Sequence, residues 1–271
     1  MTVSLALVQL EIKPDDIETN LQRAAAAVAD AAENGAELVV LPELFTIGFF
    51  TFESYAESAV GLESQLVETL RSIAVENSVG LVAGSFIEDL SKSHSAGFET
   101  PAPEGYANTV TAFDEAGSLL GVYRKRHLFG YESAEAELLV PGEKETVFEF
   151  RGLTVGVSVC YDLRFPELYR SLLNAGVDTI LVPSAWPYPR TEHWKTLGRA
   201  RAIENLSYVA TANGVGTFGE AELCGRSTVY DPWGTTLAGA GDEETIVTAE
   251  LAPDRVGTIR ADFPSLRDRH L

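Results

Sequence analysis

Three side chains of complementary chemistry stand where apolar runs stop. Glu43 follows "LVVLP", Lys125 follows "LLGVYR" and Cys160 follows "LTVGVSV". In α/β architectures sites are assembled at strand ends, so a carboxylate, an ammonium and a thiol far apart in the chain can converge there. A thiolate attacks a carbonyl or nitrile carbon far better than a thiol does, so a nucleophilic Cys160 needs a proton acceptor. A glutamate within hydrogen-bond reach is such a base and can return the proton to a leaving amine. The Lys125 ammonium, with the Tyr161 N–H in the turn after the thiol, can hold a developing oxyanion. The chemistry would be acyl transfer through a thioester. Taken singly, each residue has a plainer reading: Cys160 as a small core hydrophobe, Lys125 within "YRKRH" as a solvated cation, and Glu43 as a loop acid.

The elements that must position these groups alternate β-rich runs with helical patterns. "VSLALVQL" (3–10), "ELVVLP" (37–42), "LVAGSF" (81–86), "LTVGVSV" (153–159), "DTILVP" (178–183) and "SYVATAN" (207–213) read as strands. Helices are expected in the segment that ends at Gly35, and over 63–80, 166–176 and 192–205. "NTVTAFD" and "LLGVYRK" flank "EAGS" as a hairpin, and "STVYDPWG", "TTLAG" and "TIVTAEL" form a closing set of strands. Continuously apolar strands such as "TILVP" are covered on both faces, and the hairpins make the sheets mixed. Residues 88–108 read as a long loop at the surface or a pocket mouth. No linker interrupts the pattern, so residues 1–271 are expected to be a single α/β domain.

Composition narrows the function. The formal net charge is −20, from 40 acids and 20 bases. A field this negative disfavours nucleic acid and anionic membranes. The acids are spread along the chain and lysine is scarce, which suggests a protein adapted to high salt. No apolar stretch approaches the roughly 20 residues that span a bilayer, and "MTVSLALVQL" reads as a first strand, so a cytoplasmic protein is expected. Two cysteines make no disulfide framework. With four histidines they give no metal-ligand spacing, so neither metal nor cofactor is expected.

"LPELF", "YRKRHLF" and "CYDLRFPEL" together resemble, in order and spacing, the three signature segments of the nitrilase superfamily of carbon–nitrogen hydrolases. The resemblance runs from "SLALVQL" to "IRADFP". It implies a four-layer αββα sandwich with mixed sheets, a Glu43–Lys125–Cys160 triad, and homodimers or larger homo-oligomers. It also implies a second glutamate in the loop after the lysine: the family pattern points to Glu135, with Glu132 and Glu137 nearby. "CYDLRFPEL" is closest to the Nit-type amidases, including the omega-amidases. The substrate would be a small ω-amide acid, with N-carbamoyl amines, aliphatic amides and nitriles as alternatives for the same triad. A non-catalytic binding protein on this fold is the alternative of another class.

Around that triad, Arg164 could hold a substrate carboxylate by a forked pair of hydrogen bonds, or could pair structurally with Asp162 or Glu167. Ser184, Ala185 and Trp186 of "PSAWP" follow a strand end and would line the pocket, although Trp186 reads equally as core. Phe49, Phe50 and Tyr55 could close its mouth. Cys224 reads as a buried spectator, His127 as a structural neighbour of the site and His193 as an exposed helix opener.

Overall fold

The computed structural model describes residues 2–131 and 133–270. In chain order the elements are β1 (Val3–Gln9), α1 (Ile17–Glu33), β2 (Leu38–Val40), α2 (Tyr55–Ser58), α3 (Gln65–Asn77), β3 (Gly80–Asp89), α4 (Leu90–Ser95) and β4 (Tyr106–Phe113). Then come β5 (Leu119–Arg124), α5 (Glu135–Leu138), β6 (Thr146–Phe150), β7 (Leu153–Val157), α6 (Pro166–Asn174), β8 (Thr179–Ser184) and α7 (Thr191–Asn205). The chain closes with β9 (Tyr208–Asn213), β10 (Val215–Phe218), β11 (Ala221–Cys224), β12 (Thr228–Tyr230), β13 (Thr236–Gly239), β14 (Thr245–Leu251) and α8 (Pro253–Asp262).

These strands build two six-stranded sheets, ordered β14-β1-β2-β3-β4-β5 and β13-β12-β9-β8-β7-β6. Each mixes parallel pairs, such as β1 with β2 and β7 with β8, with antiparallel ones. Side-chain alternation explains the stacking. Along β1, Leu5 and Leu7 join Val155, Val157 and Leu181 in the core between the sheets, whereas Ala6 and Val8 join Val28 of α1 and Leu70 of α3. Helices α6 and α7 bring Leu172 and Ala202 onto the second sheet. The result is the expected αββα sandwich. Each fully buried Leu, Val or Ile contributes roughly 1.5–3 kcal/mol of transfer free energy, so strands apolar on both faces are the ones this stacking favours.

Local signals set the helix ends. The Asp16 side chain accepts from the Thr19 N–H to cap α1, Ser64 does the same for α3, and Pro166 opens α6. Two expectations need correction, and three elements went unpredicted. The 88–108 segment is not a loop throughout: Asp89 accepts from the Ser91 and Lys92 N–H groups and so starts α4, and β4 begins at Tyr106. The closing strands do not stay together, because β14 leaves β12 and β13 to pair antiparallel with β1 on the other sheet. Strand β6, the β10–β11 hairpin and helix α8 lack the long periodic runs that marked the other elements.

Candidate active site

Glu43 lies just beyond β2, on a segment that crosses β3 at close range. Gly84 (φ +56°) makes this possible, because a Cβ there would stand 2.2 Å from the Pro42 carbonyl oxygen. The register of β3 against β4 shifts at the same point. Next to Gly84, the Ser85 hydroxyl accepts the Leu44 N–H at 2.9 Å, which anchors the turn on the far side of Glu43. Lys125 ends β5. Its N–H donates to Asn108 O and its carbonyl accepts from Gly142, both at 2.9 Å. Gly142 packs against Arg124, where a Cβ would stand 2.1 Å from the carbonyl oxygen.

The three polar side chains at this point are all fully or almost fully buried and form one network. Lys125 Nζ donates to Glu43 Oε1 at 2.8 Å and to both oxygens of Glu135 at 2.8 and 2.9 Å. An ammonium has three donors, and all three are engaged. Asn108 Nδ2 bridges the carboxylates, donating to Glu43 Oε1 at 2.8 Å and Glu135 Oε1 at 3.1 Å. The backbone N–H of Ala185 donates to Glu43 Oε2 at 2.9 Å, and that of Phe129 to Glu135 Oε2 at 2.7 Å. Lys125 Nζ also lies 4.9 Å from the centre of the Phe49 ring, a favourable cation–π contact. Of the glutamates weighed for the second position, Glu135 is in this network and Glu137 is exposed. Glu132 lies outside the described residues.

Cys160 opens a 3-10 turn, Cys160–Arg164, directly after β7. Its φ is +45°, a left-handed conformation that costs a non-glycine residue about 1–2 kcal/mol. Asp162 holds that turn. Its Oδ2 accepts from Val159 N at 2.9 Å and Tyr123 Oη at 2.7 Å, and its Oδ1 contacts His127 N at 3.0 Å and Nδ1 at 2.7 Å. The His127 ring stacks on Phe165 at 3.8 Å. His127 therefore serves the turn and not the thiol. On the far side, Arg201 clamps Leu163 O with Nε at 3.0 Å and Nη2 at 2.6 Å. The strained turn at Cys160 is thus fixed at both of its ends.

Burial shifts the groups in instructive directions. It pushes the Cys160 thiol well up, the charge of Glu43 pushes it further, and Lys125 opposes. Burial by itself would weaken the Lys125 ammonium, but the carboxylates of Glu135 and Glu43 outweigh that and hold it above its usual value. Burial, with Glu43 as a like-charged neighbour, raises Glu135 against the pull of Lys125. At neutral pH the resting thiol is therefore protonated, and two acids and one base meet beside it in water-poor surroundings.

A pocket opens on this group. Lys125, Cys160 and Ala185 lie at its base, and Phe49, Phe50, Phe129, Tyr161 and Trp186 supply aromatic walls. Trp186, weighed equally as core and as wall, is 3 % exposed yet lines the pocket. Two expected lining residues do not reach it. Ser184 is still the last residue of β8, and the strand pleat turns it inward, where its hydroxyl donates to Val182 O at 3.3 Å. Its carbonyl instead accepts the Glu43 N–H at 3.3 Å. Tyr55 is buried behind the wall and donates to Phe49 O at 2.6 Å.

Arg164 makes neither of the structural ion pairs weighed for it. Asp162 has no acceptor site to spare, and Glu167 is exposed. The guanidinium lies 4.9 Å from Trp186 and 5.6 Å from Tyr161, against the pocket wall. Sequence reasoning missed Asn108, whose one signal is an amide at the start of the run "NTVTAFD", and Arg190, which lines the mouth from the turn before α7.

A thiol on a strained turn, beside an interlocked carboxylate–ammonium–carboxylate cluster in an αββα sandwich, defines the class of nitrilase-type proteins. The family model for carbon-nitrogen hydrolases matches residues 4–261, and the chain belongs to that family. It is 40% identical over 238 residues to the 2-oxoglutaramate amidase of Paenarthrobacter nicotinovorans, covering 86% of this chain and 78% of that one. Among solved structures, Saccharomyces cerevisiae Nit3 superposes with a TM-score of 0.87 at 32% identity, covering 100% of this chain and 97% of Nit3. A variant of the amidase from Nesterenkonia sp. AN1, with acrylamide added to its active-site cysteine, superposes at 0.80 with 31% identity, covering 98% of this chain and 99% of that one.

Proposed function

We propose that this chain hydrolyses the terminal amide of a small carboxylate-bearing amide, as the name of the Paenarthrobacter nicotinovorans relative suggests for 2-oxoglutaramate. One observation carries the reading: Glu43, Lys125 and Glu135 are joined by bonds of 2.8–2.9 Å at the base of the pocket that Cys160 lines. Glu43 takes the thiol proton as Sγ attacks the amide carbon. The oxyanion is held by Lys125 and the Tyr161 N–H. Because Lys125 spends two of its three N–H groups on one carboxylate, it can release one bond to Glu135 and still remain paired. Collapse breaks the C–N bond, and ammonia leaves with the proton from Glu43. Glu43 then deprotonates water, which attacks the thioester, and the carboxylic acid departs as the thiol is restored.

Glu135 and Asn108 act on the triad and not on the substrate: they keep Lys125 charged and Glu43 oriented. Arg164, free of carboxylate partners among the described residues, would receive the substrate's own carboxylate. Assembly into a homodimer or larger oligomer belongs to the same reading and rests on the family resemblance.

The test is ammonia release from 2-oxoglutaramate, succinamate, butyramide, an N-carbamoyl amine and a nitrile, with Cys160→Ala as control. Cys160-dependent release that favours the carboxylate-bearing amides is expected. A preference for butyramide would assign the aromatic walls to a neutral aliphatic amide instead, and silence across the panel would speak for a binding protein.

A further inference from the structure

The pocket mouth holds two cations in a protein of formal net charge −20. Arg164 and Arg190 both line it. Neither has a carboxylate within ion-pair distance among the described residues; Arg164 Nη2 meets only the His193 ring, at 3.3 Å from Nδ1. The Lys125 charge deeper in the pocket is already answered by two glutamates. The net positive charge of the pocket therefore sits at the arginines. Bringing two guanidiniums together with no anion is unfavourable in itself, and burial followed by the Arg190 charge works against the Arg164 cation despite the opposing influence of Tyr161. In a chain with so many acids, leaving that pair uncompensated is a specific arrangement.

The backbone holds Arg190 in place. The Arg190 carbonyl accepts the Trp186 indole N–H at 2.9 Å and the Trp194 N–H at 3.1 Å, and its own N–H donates to Pro187 O at 3.3 Å. The Arg190 guanidinium lies 5.4 Å from the Phe129 ring, and that of Arg164 lies 4.9 Å from Trp186. Each cation is supported on an aromatic face, which leaves its N–H edge for a ligand. Trp186 couples the two, because Arg190 fixes the ring on which Arg164 lies.

We propose that Arg190 and Arg164 together form a two-guanidinium seat for the carboxylate of the substrate, making Arg190 a specificity-determining residue. The inference rests on the amide-hydrolase reading and extends it. A carboxylate has about four lone-pair sites, enough for a forked contact from each arginine. One arginine could hold a carboxylate alone. Two of them disfavour an occupant without negative charge, because a neutral tail would leave both cations unanswered.

The experiment compares succinamate with butyramide, amides of the same chain length with and without a terminal carboxylate. Wild type, Arg190→Gln, Arg190→Lys and Arg164→Gln are assayed for KM and kcat separately. For Arg190→Gln the expected result is a rise in KM for succinamate at least tenfold larger than for butyramide, with most of the loss in KM. Arg190→Lys should recover only part of it, since an ammonium lacks the planar fork. Equal losses on both amides would overturn the proposal and leave Arg190 as a prop for Trp186. A second readout separates this from failure of the amidase reading: succinate, which needs no turnover, should protect wild-type Cys160 from iodoacetamide and protect Arg190→Gln at least tenfold less well. Equal protection in the two proteins would overturn the seat, whatever the turnover results.

Discussion

Cys160 and Cys224 are both buried and both held as thiols, yet their surroundings share little else. Cys224 ends β11 in regular extended chain. Its sulfur accepts from Asn213 Nδ2 at 3.5 Å and its N–H donates to Trp186 O at 2.9 Å. Burial raises that thiol to about 11. Cys160 sits at φ +45° on a turn tied down by Asp162 and Arg201, and opens on a pocket beside Glu43 and Lys125. Burial raises its thiol too. A lowered resting pKa therefore does not distinguish the sulfur proposed as nucleophile. The difference is a proton acceptor close by, an ammonium to answer the charge that develops, and a path for a substrate. Cys224 has none of the three and helps brace the wall behind Trp186.

The sharpest way to break this comparison is to remove each sulfur. Cys160→Ala should reduce ammonia release by more than about 10⁴-fold, as loss of a catalytic nucleophile does, with a melting temperature near that of wild type. Cys224→Ala should keep activity within a few-fold. Comparable activity loss in the two would erase the distinction drawn between them. Glu43→Gln comes next. It keeps the shape and the contact with Ala185 but cannot accept the thiol proton, so kcat should fall by about 10²–10⁴. A fall under tenfold would mean that another group is the base.

Asn108→Ala tests a finer point. It removes the bridge between Glu43 and Glu135 while leaving all three triad residues present. A lost hydrogen bond to a charged group is worth about 1.5–3 kcal/mol, so a drop in kcat of roughly tenfold or more is expected, with KM much less affected. An effect confined to KM would place Asn108 with the substrate instead.

Much of this was legible in the sequence, for a physical reason. Glu43 and Cys160 follow buried strands, and burial leaves a dense apolar run that ends visibly at a polar residue; Lys125 follows β5, an edge strand in which only Tyr123 is buried, but the run "LLGVYR" still ends at it. The same runs pointed to α/β layers with mixed sheets; the four-layer sandwich came with the family resemblance. Elements on the rim were harder to see: β6 alternates buried and exposed positions, and β10 and β11 are short strands without a continuous buried run. β14 could be recognised as a strand but not assigned to a sheet, since its pairing with β1 joins the two ends of the chain. Within the site, Ser184 was misplaced because a strand end fixes position but not which side the pleat presents. Arg190 was missed because it follows no strand: it stands in the turn before α7, among "WPYPR", where residue type alone does not show direction.

The smallest expected effect concerns alkaline stability. A thiol whose pKa is raised in the folded chain stays protonated when its unfolded counterpart, near 8.5, has already ionised. The unfolded chain then binds fewer protons than the folded one, so stability falls as pH rises. For Cys224 the fall begins near the unfolded value and ends at about 11. Cys160 carries the same sign, raised by burial and by the charge of Glu43 against the pull of Lys125. Melting temperatures followed from about pH 8 upward should thus decline less steeply in Cys224→Ala than in wild type, with the difference growing until that thiol ionises in both states and constant thereafter. Cys160→Ala should depart from wild type in the same direction. A Cys160→Ala curve parallel to that of wild type would mean that neither burial nor Glu43 burdens the Cys160 thiolate, and the closeness of Glu43 to the sulfur, on which the base assignment depends, would be lost with it.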